Sequence, residues 1–291
     1  MTETTDWARS WLLGANGLHR SRDADHWEEA GGHGYPVNDL IRQPRRLVCA
    51  ALWGLWEVHG DDSRWIQLHD ETLTEVLAIA AATGDPGVVT VSAYGLALGR
   101  RVEHGATRWQ SRSDGLSLDE RFSNAVLAQP NAPGHWLVGS EDGVLVYAEA
   151  DDRWHRTDLT GRPCRALLHA FGYLWAGTDE AGIWRSKDGF SWKRAGTGLE
   201  DGTIFVLCAT RDRILAGTLQ GVCVGDGGGA WRRLGPRLLV SALAPHPDRD
   251  GPWLAGATPG GLWRSDDAGE RWRQILGFDT VRVIMPPEAD A

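Results

Sequence analysis

The chain has 291 residues, 42% of them apolar and 24% charged, with 30 basic against 39 acidic side chains for a formal charge of −9. That acidic balance argues against nucleic acid as a partner. No apolar run of 18 residues occurs, and the N-terminus M-T-E-T-T-D-W-A-R-S lacks a basic segment followed by an apolar one, so the expectation is a cytoplasmic protein with neither membrane span nor signal peptide. Four cysteines, Cys49, Cys164, Cys208 and Cys223, form no C-x-x-C pair and sit in apolar runs, which reads as buried free thiols in a reducing compartment.

The chain is built from copies of one unit, fullest in Leu174 to Trp192, where two alternating apolar runs meet at a turn and a second turn leads to a tryptophan. The glycine opening the second run recurs at Gly17, Gly54, Gly95, Gly143, Gly182, Gly221 and Gly261, in steps of 37, 41, 48, 39, 39 and 40 residues. Each is followed by a tryptophan: Trp27, Trp65, Trp109, Trp154, Trp192, Trp231 and Trp272. A period near 40 with strand chemistry predicts propeller blades, with the tryptophans wedged between them.

In chain order, residues 1–10 read as a polar leader. The first copy starts at Trp11 with what is the second strand elsewhere. Copies two to seven read as four short strands, here a to d from the channel outward: an inner apolar run, a run ending in small residues, the glycine-led run and the tryptophan run. The longest step carries Ser111 to Arg121, expected as an ordered flap or mobile lid over the channel mouth. Copy seven reads as Leu239 to Pro245, Pro252 to Ala257, Gly261 to Ser265 and Arg271 to Leu276. A further inner-strand pattern then follows, and its segment Thr280 to Met285 is expected to pair with Trp11 to Ala15. The expected fold is therefore all-β: one seven-bladed β-propeller over 11–287 with four antiparallel strands per blade, closed by a C-terminal strand completing the N-terminal blade. Residues 288–291 form a tail, and the protein is expected to be a monomer.

The segments S-K-D-G-F-S-W (Ser186 to Trp192) and S-D-D-A-G-E-R-W (Ser265 to Trp272) resemble the Asp-box, or BNR, repeat S-x-D-x-G-x-x-W. Ser21, Asp23 and Trp27 keep a shorter form, and Asp226 with Trp231 keeps part of one. The resemblance implies an Asp-box propeller like those of sialidases, xyloglucanases, sorting receptors and photosystem assembly factors. It is nearly silent on function, since that architecture hosts several. The sialidase catalytic pattern is missing, with no R-I-P near the N-terminus. The boxes read as structural turns in which a short carboxylate accepts backbone N–H groups.

The c–d turns share one end of a blade with the a–b turns, so ligand chemistry is expected at the other end, among the b–c turns and the crossovers into each inner strand. Aligned inner strands place Asn38, Glu75, Asn124, Arg165, Phe205, Ser241 and Arg282 at one height. Polar groups there must pair, hydrate or meet a ligand. Candidate ligand-binding residues are Asn38, Asn124, Arg165, Arg282 and Phe205, with Tyr35, Tyr94 and Trp53 from neighbouring loops. Glu75, His69 and His33 are candidates for catalysis.

Three functions remain open. The leading one binds a small anionic molecule or a protein partner at this end. A lyase, cyclase or hydrolase would use Glu75 as acid or base and Arg165 with Arg282 as an anion clamp. A pure scaffold would use only the rim. No motif requires a cofactor; a divalent cation stays open through the acidic turns at Glu141, Asp142, Asp179 and Glu180, with weak support because no ligand spacing there singles out a metal.

Overall fold

The computed structural model describes residues 6–43, 46–59, 64–71, 73, 75–81, 88–92, 95–101, 107–235, 237–248 and 250–289. Seven four-stranded antiparallel sheets form a ring, a seven-bladed β-propeller. Blade one joins Val283–Met285, as inner strand, to Trp11–Ala15, Gly17–Ser21 and Glu28–Glu29. The six inner strands that follow are Val37–Gln43, Ala78–Ala80, Ser123–Ala128, Cys164–Ala170, Ile204–Ala209 and Ala242–Pro245.

Closure is as the sequence implies. Leu12, Leu13 and Gly14 pair with Met285, Ile284 and Val283. The clasp extends past the sheet. The Arg42 guanidinium, on the inner strand of blade two, donates to Pro286 O at 3.1 Å and Ser10 O at 3.2 Å. Glu288 N donates to Ala8 O at 2.8 Å, and Trp7 is buried. Residues 6–10 and Glu288, on the two flanking segments, are thus packed onto the ring.

The glycine repeat has two physical causes. The seven glycines that open the third strands all have positive φ, from +72° at Gly182 to +126° at Gly17, a conformation glycine adopts without strain, and at Gly143, Gly182 and Gly261 a Cβ would also stand 2.0, 2.1 and 2.2 Å from a carbonyl oxygen of strand d or the segment leaving it. A second glycine, near the end of strand b, lies where blades meet. A Cβ there would stand 2.8 Å from Cys164 O at Gly139 and 2.6 Å from Val240 O at Gly217, each on the following blade's inner strand or the approach to it.

Among the described residues the apolar core divides into seven clusters, one at each blade-to-blade interface. The repeat tryptophans are the wedges. The indole N–H of Trp109 donates back to Leu68 O at 2.7 Å, that of Trp154 to Arg112 O at 2.7 Å and that of Trp231 to Ala195 O at 2.7 Å, in each case on the preceding blade or the segment leaving it. These three satisfy their polar edges at the seam, whereas Trp192 and Trp272 donate to Gly189 O and Gly269 O in their own turns, and the buried indole N–H groups of Trp27 and Trp65 have no partner among the described residues.

The Asp-box turns hold themselves together. Ser186 Oγ donates to Asp188 Oδ1 at 2.8 Å, and Gly189 N donates to Ser186 Oγ at 2.9 Å; Ser265, Asp267 and Gly269 repeat this at 3.0 and 2.8 Å. The N–H groups of Ser191 and Phe190 hold the Asp188 carboxyl below the usual range. The turn of blade five is also tied to blade four, where Gln129 Nε2 donates to Asp188 O at 2.8 Å.

The segment Ser111 to Arg121 leaves blade three at the b–c end, as expected, but does not lie over the channel. Ser117 caps a four-residue helix, Leu118–Arg121, and the Glu120 carboxylate accepts from Ser117 N at 2.7 Å. Arg156, on the outer strand of blade four, grips Glu120 at 2.6 Å. Burial pulls the Glu120 carboxyl up, but this pair and the cap outweigh it and hold it low. The buried carboxylate pins the insert to the rim.

Candidate functional site

At the b–c end the seven inner strands open onto a channel cavity of about 250 Å³. Asn38, Leu77, Asn124, Arg165, Phe205, Ser241 and Arg282 line it together with their strand neighbours. Backbone bonds fix their equivalence: Leu77 N, Ser241 N and Arg282 N donate to Val91 O, Gly256 O and Gly14 O, each at 2.9 Å. In blades two, four, five and six the corresponding residue, Asn38, Asn124, Arg165 or Phe205, is skipped by the a–b ladder, which shifts register there. A bulge re-aims the extra residue, and here it presents one side chain per blade to the channel.

Six of the seven aligned positions are thus brought together, and Glu75 is not. The inner strand of blade three is only Ala78–Ala80, and the irregular approach to it shifts the true counterpart to Leu77. Val76 is clipped to blade two, donating to Ala51 O at 3.1 Å and accepting from Asn38 Nδ2 at 2.9 Å. Asp39 completes that clip, accepting from Ile79 N at 2.9 Å and Leu40 N at 2.8 Å. Burial pushes its carboxyl up to about 6, against the downward pull of the two N–H donors. Asp39 stands where its counterparts are Ala78, Ala125, Ala166, Val206, Ala242 and Val283, so a single acid in a column of alanines and valines was its only signal in the sequence.

Arg165 is held rather than free. Its Nε and Nη2 donate to Asp179 Oδ2 at 2.8 and 2.5 Å, and its Nη1 reaches Glu141 Oε1 at 3.1 Å. Asn124 Nδ2 donates to the same Glu141 oxygen at 2.9 Å. The bond to Asp179 is the main reason the guanidinium is held more firmly in its charged form, burial notwithstanding. With one cation between two carboxylates the cluster carries net negative charge, so Arg165 is already engaged where the sequence suggested it would clamp an anion with Arg282, which lines the same cavity. Glu141 and Asp179 belong to b–c turns whose N–H groups donate to Phe122 O and Pro163 O, on the approaches to the inner strands. That places each acid beside the bulged residue of its own blade.

Arg282 differs. It is exposed, lines the channel, and has no side-chain partner among the described residues. The other candidates lie elsewhere. Tyr35 stacks on Trp56 at 5.4 Å, and His69 binds the Leu55 backbone and packs edge-on against Trp56. Trp53 is 58% exposed in the blade-two b–c turn, and His33 is a solvent-facing partner of Glu29. Glu75, His33 and His69 therefore do not face the channel cavity, and Tyr94 lies outside the described residues. Also among the described residues, no group of three His, Cys, Asp or Glu side chains is placed to hold a metal ion, and no helix is long and apolar enough to cross a membrane.

The channel continues outward. Arg165 and Phe205 also line a cavity of about 790 Å³ with Arg162, Asp179, Glu180, Thr203 and Leu219. Thr203 and Leu219 in turn line a third, of about 450 Å³, with Leu199, Glu200, Asp201, Gln220, Trp231 and Arg233. Shared walls make one trough from the channel mouth out between blades five and six. A separate cavity of about 460 Å³ lies at the Asp-box end, between the a–b turns of blades six and seven.

The fold defines a seven-bladed β-propeller, an architecture suited in general to binding a ligand or a protein. No family model matches the chain, and no curated protein matches it in sequence. Solved structures match its fold. The extracellular domain of the putative one component system BT4673 from B. thetaiotaomicron superposes with a TM-score of 0.71 at 15% identity, covering 90% of this chain and 37% of that one. The extracellular domain of the putative hybrid two component system BT3049 from B. thetaiotaomicron gives 0.66 at 15%, covering 87% and 36%. The computationally designed Ika8 protein gives 0.63 at 15%, covering 96% and 92%. The chain spans little more than a third of the two extracellular domains, and at these identities the likeness shows the fold alone.

Proposed function

We propose that this propeller is a binding protein whose partner, a protein or peptide, docks on the end opposite the Asp-box turns. One observation carries the reading. Of the eight large apolar side chains most exposed among the described residues, five lie at this end: Trp53, Leu118, Phe122, Leu219 and Leu276. The channel mouth and the trough open there too. Of the five, Leu219 lines the trough itself, and exposed apolar surface at a cavity marks an interaction site. Membership of the Asp-box repeat proteins belongs to the same proposal, supported by the Ser–Asp–Gly bonding shared by two turns. A reducing location is supported by four unpaired cysteines.

Panning a phage-displayed peptide library against the whole chain tests this reading. Selected peptides should be lost on Phe205→Asp with Leu219→Asp and kept on Phe171→Asp with Phe190→Asp, which changes the Asp-box end instead. The reverse pattern would sink it.

Arg282 favours a second reading, a small anion in the channel. Titrating inorganic phosphate or oxalate by calorimetry should give heat with the native chain and none with Arg282→Ala. Equal heats from both would remove it.

A further inference from the structure

Resting on the binding face just described, we infer that the trough between blades five and six takes an extended, basic peptide segment. Shape comes first. Two linked cavities of about 790 and 450 Å³ joined to the channel mouth make a long open groove rather than one enclosed pocket. A peptide fills such a groove, whereas a small molecule favours a closed apolar one. Its floor offers Phe205 and Leu219 for an apolar side chain, with Leu219 54% exposed.

Charge then chooses the occupant. The walls carry Asp179, Glu180, Glu200 and Asp201 against Arg162, Arg165 and Arg233, and Glu141 stands behind Arg165 as a second acid. Arg165 is engaged by two of those acids, and Arg162 lies over the Trp184 ring at 5.3 Å. The Glu180 and Asp201 side chains have no partner among the described residues. They stand on the b–c turn of blade five and the following crossover, next to the apolar floor. A lysine or arginine flanking an apolar residue meets both requirements, and the chain's overall charge of −9 draws such a segment in.

The linker is built to hold its shape. Gly202 N donates to Leu199 O at 3.1 Å, Gly182 N to Gly202 O at 3.0 Å, and Glu180 N to Thr203 Oγ1 at 3.3 Å. Glu180 and Asp201 therefore need little ordering when the peptide arrives, which lowers the entropic cost of binding.

Fluorescence anisotropy with three fluorescein-labelled decapeptide pools decides it, one rich in Lys and Leu, one in Asp and Leu, and one in Ser and Leu. The basic pool should bind, weaken strongly between about 50 and 500 mM salt, and lose at least about tenfold in affinity, about 1.4 kcal/mol, on Glu180→Lys with Asp201→Lys. Glu180→Gln with Asp201→Asn should give a smaller loss, which keeps the test valid if the lysines disturb the turn. Asp212→Lys with Asp250→Lys makes the same charge change at the Asp-box end and should leave binding intact. Basic-pool binding that ignores the Glu180 and Asp201 changes, or falls equally with Asp212 and Asp250, overturns the inference. Binding of the neutral or acidic pool in its place, lost on Leu219→Asp, also overturns it while leaving the binding face standing. Silence from all three pools overturns it, and the library panning then separately decides the binding face.

Discussion

Arg165 and Asp179 are joined by two hydrogen bonds to a single carboxylate oxygen, from Nε at 2.8 Å and Nη2 at 2.5 Å, across the first two strands of blade five. Glu141 of blade four approaches the same guanidinium from the other side. The arginine is therefore a bridge between two b–c turns. Arg165→Ala leaves two carboxylates facing each other and should lower stability by about 1–3 kcal/mol, reduced from a deep-core pair because all three groups are part-exposed. Adding Glu141→Gln and Asp179→Asn should recover much of the loss. Urea midpoints check both, and no loss from the single change would show the bridge to be idle.

Closure gives a second prediction. Blade one takes its inner strand from Val283–Met285, and Arg42 holds Pro286 and Ser10 together. A chain ending before Phe278 should lose cooperative unfolding, because blade one is left without a centre and an edge is exposed. Arg42→Met in the full chain should cost about 1–2 kcal/mol, the value of charge-assisted bonds to half-buried carbonyls. Melting curves by circular dichroism distinguish the two effects.

Asp39 sets a pH dependence of definite sign. Its carboxyl is pushed up to about 6 in the folded chain, above its ordinary value. The folded state thus holds the proton more tightly than the unfolded one, and this group's contribution is full below the ordinary carboxylate range and lost as pH rises through about 6. The Asp-box carboxyls, held low by N–H donors, act in the opposite sense, so the comparison must be with a variant. Asp39→Asn keeps one acceptor and should gain on the order of 1–2 kcal/mol over the native chain near pH 7.5, shrinking towards zero near pH 4. A gain independent of pH would assign the effect to packing.

Some of this was legible in the sequence and some was not, for physical reasons. The repeat glycine and tryptophan are demanded by positive φ and by the blade seam, so they recur and announce seven blades, including the strand borrowed from the C-terminus. Asn38, Asn124, Arg165 and Arg282 stood out because polar residues interrupt apolar runs. Glu75 misled for the same reason: an irregular approach to a three-residue strand breaks the register that alignment assumes. The Arg165 bridge and the Ser117–Glu120 cap depend on how neighbouring turns meet in space. A linear pattern records each partner there but not the pairing.

The most direct measurement of the binding face is hydrogen–deuterium exchange on the full chain with and without a peptide selected by the library. The account predicts protection in the crossover 198–203, the turn 218–221 and the bulged starts of the inner strands at 165–166 and 205–206, with the Asp-box turns unchanged. Protection confined to 171–172, 188–191 and 266–270, at the opposite end, would contradict it.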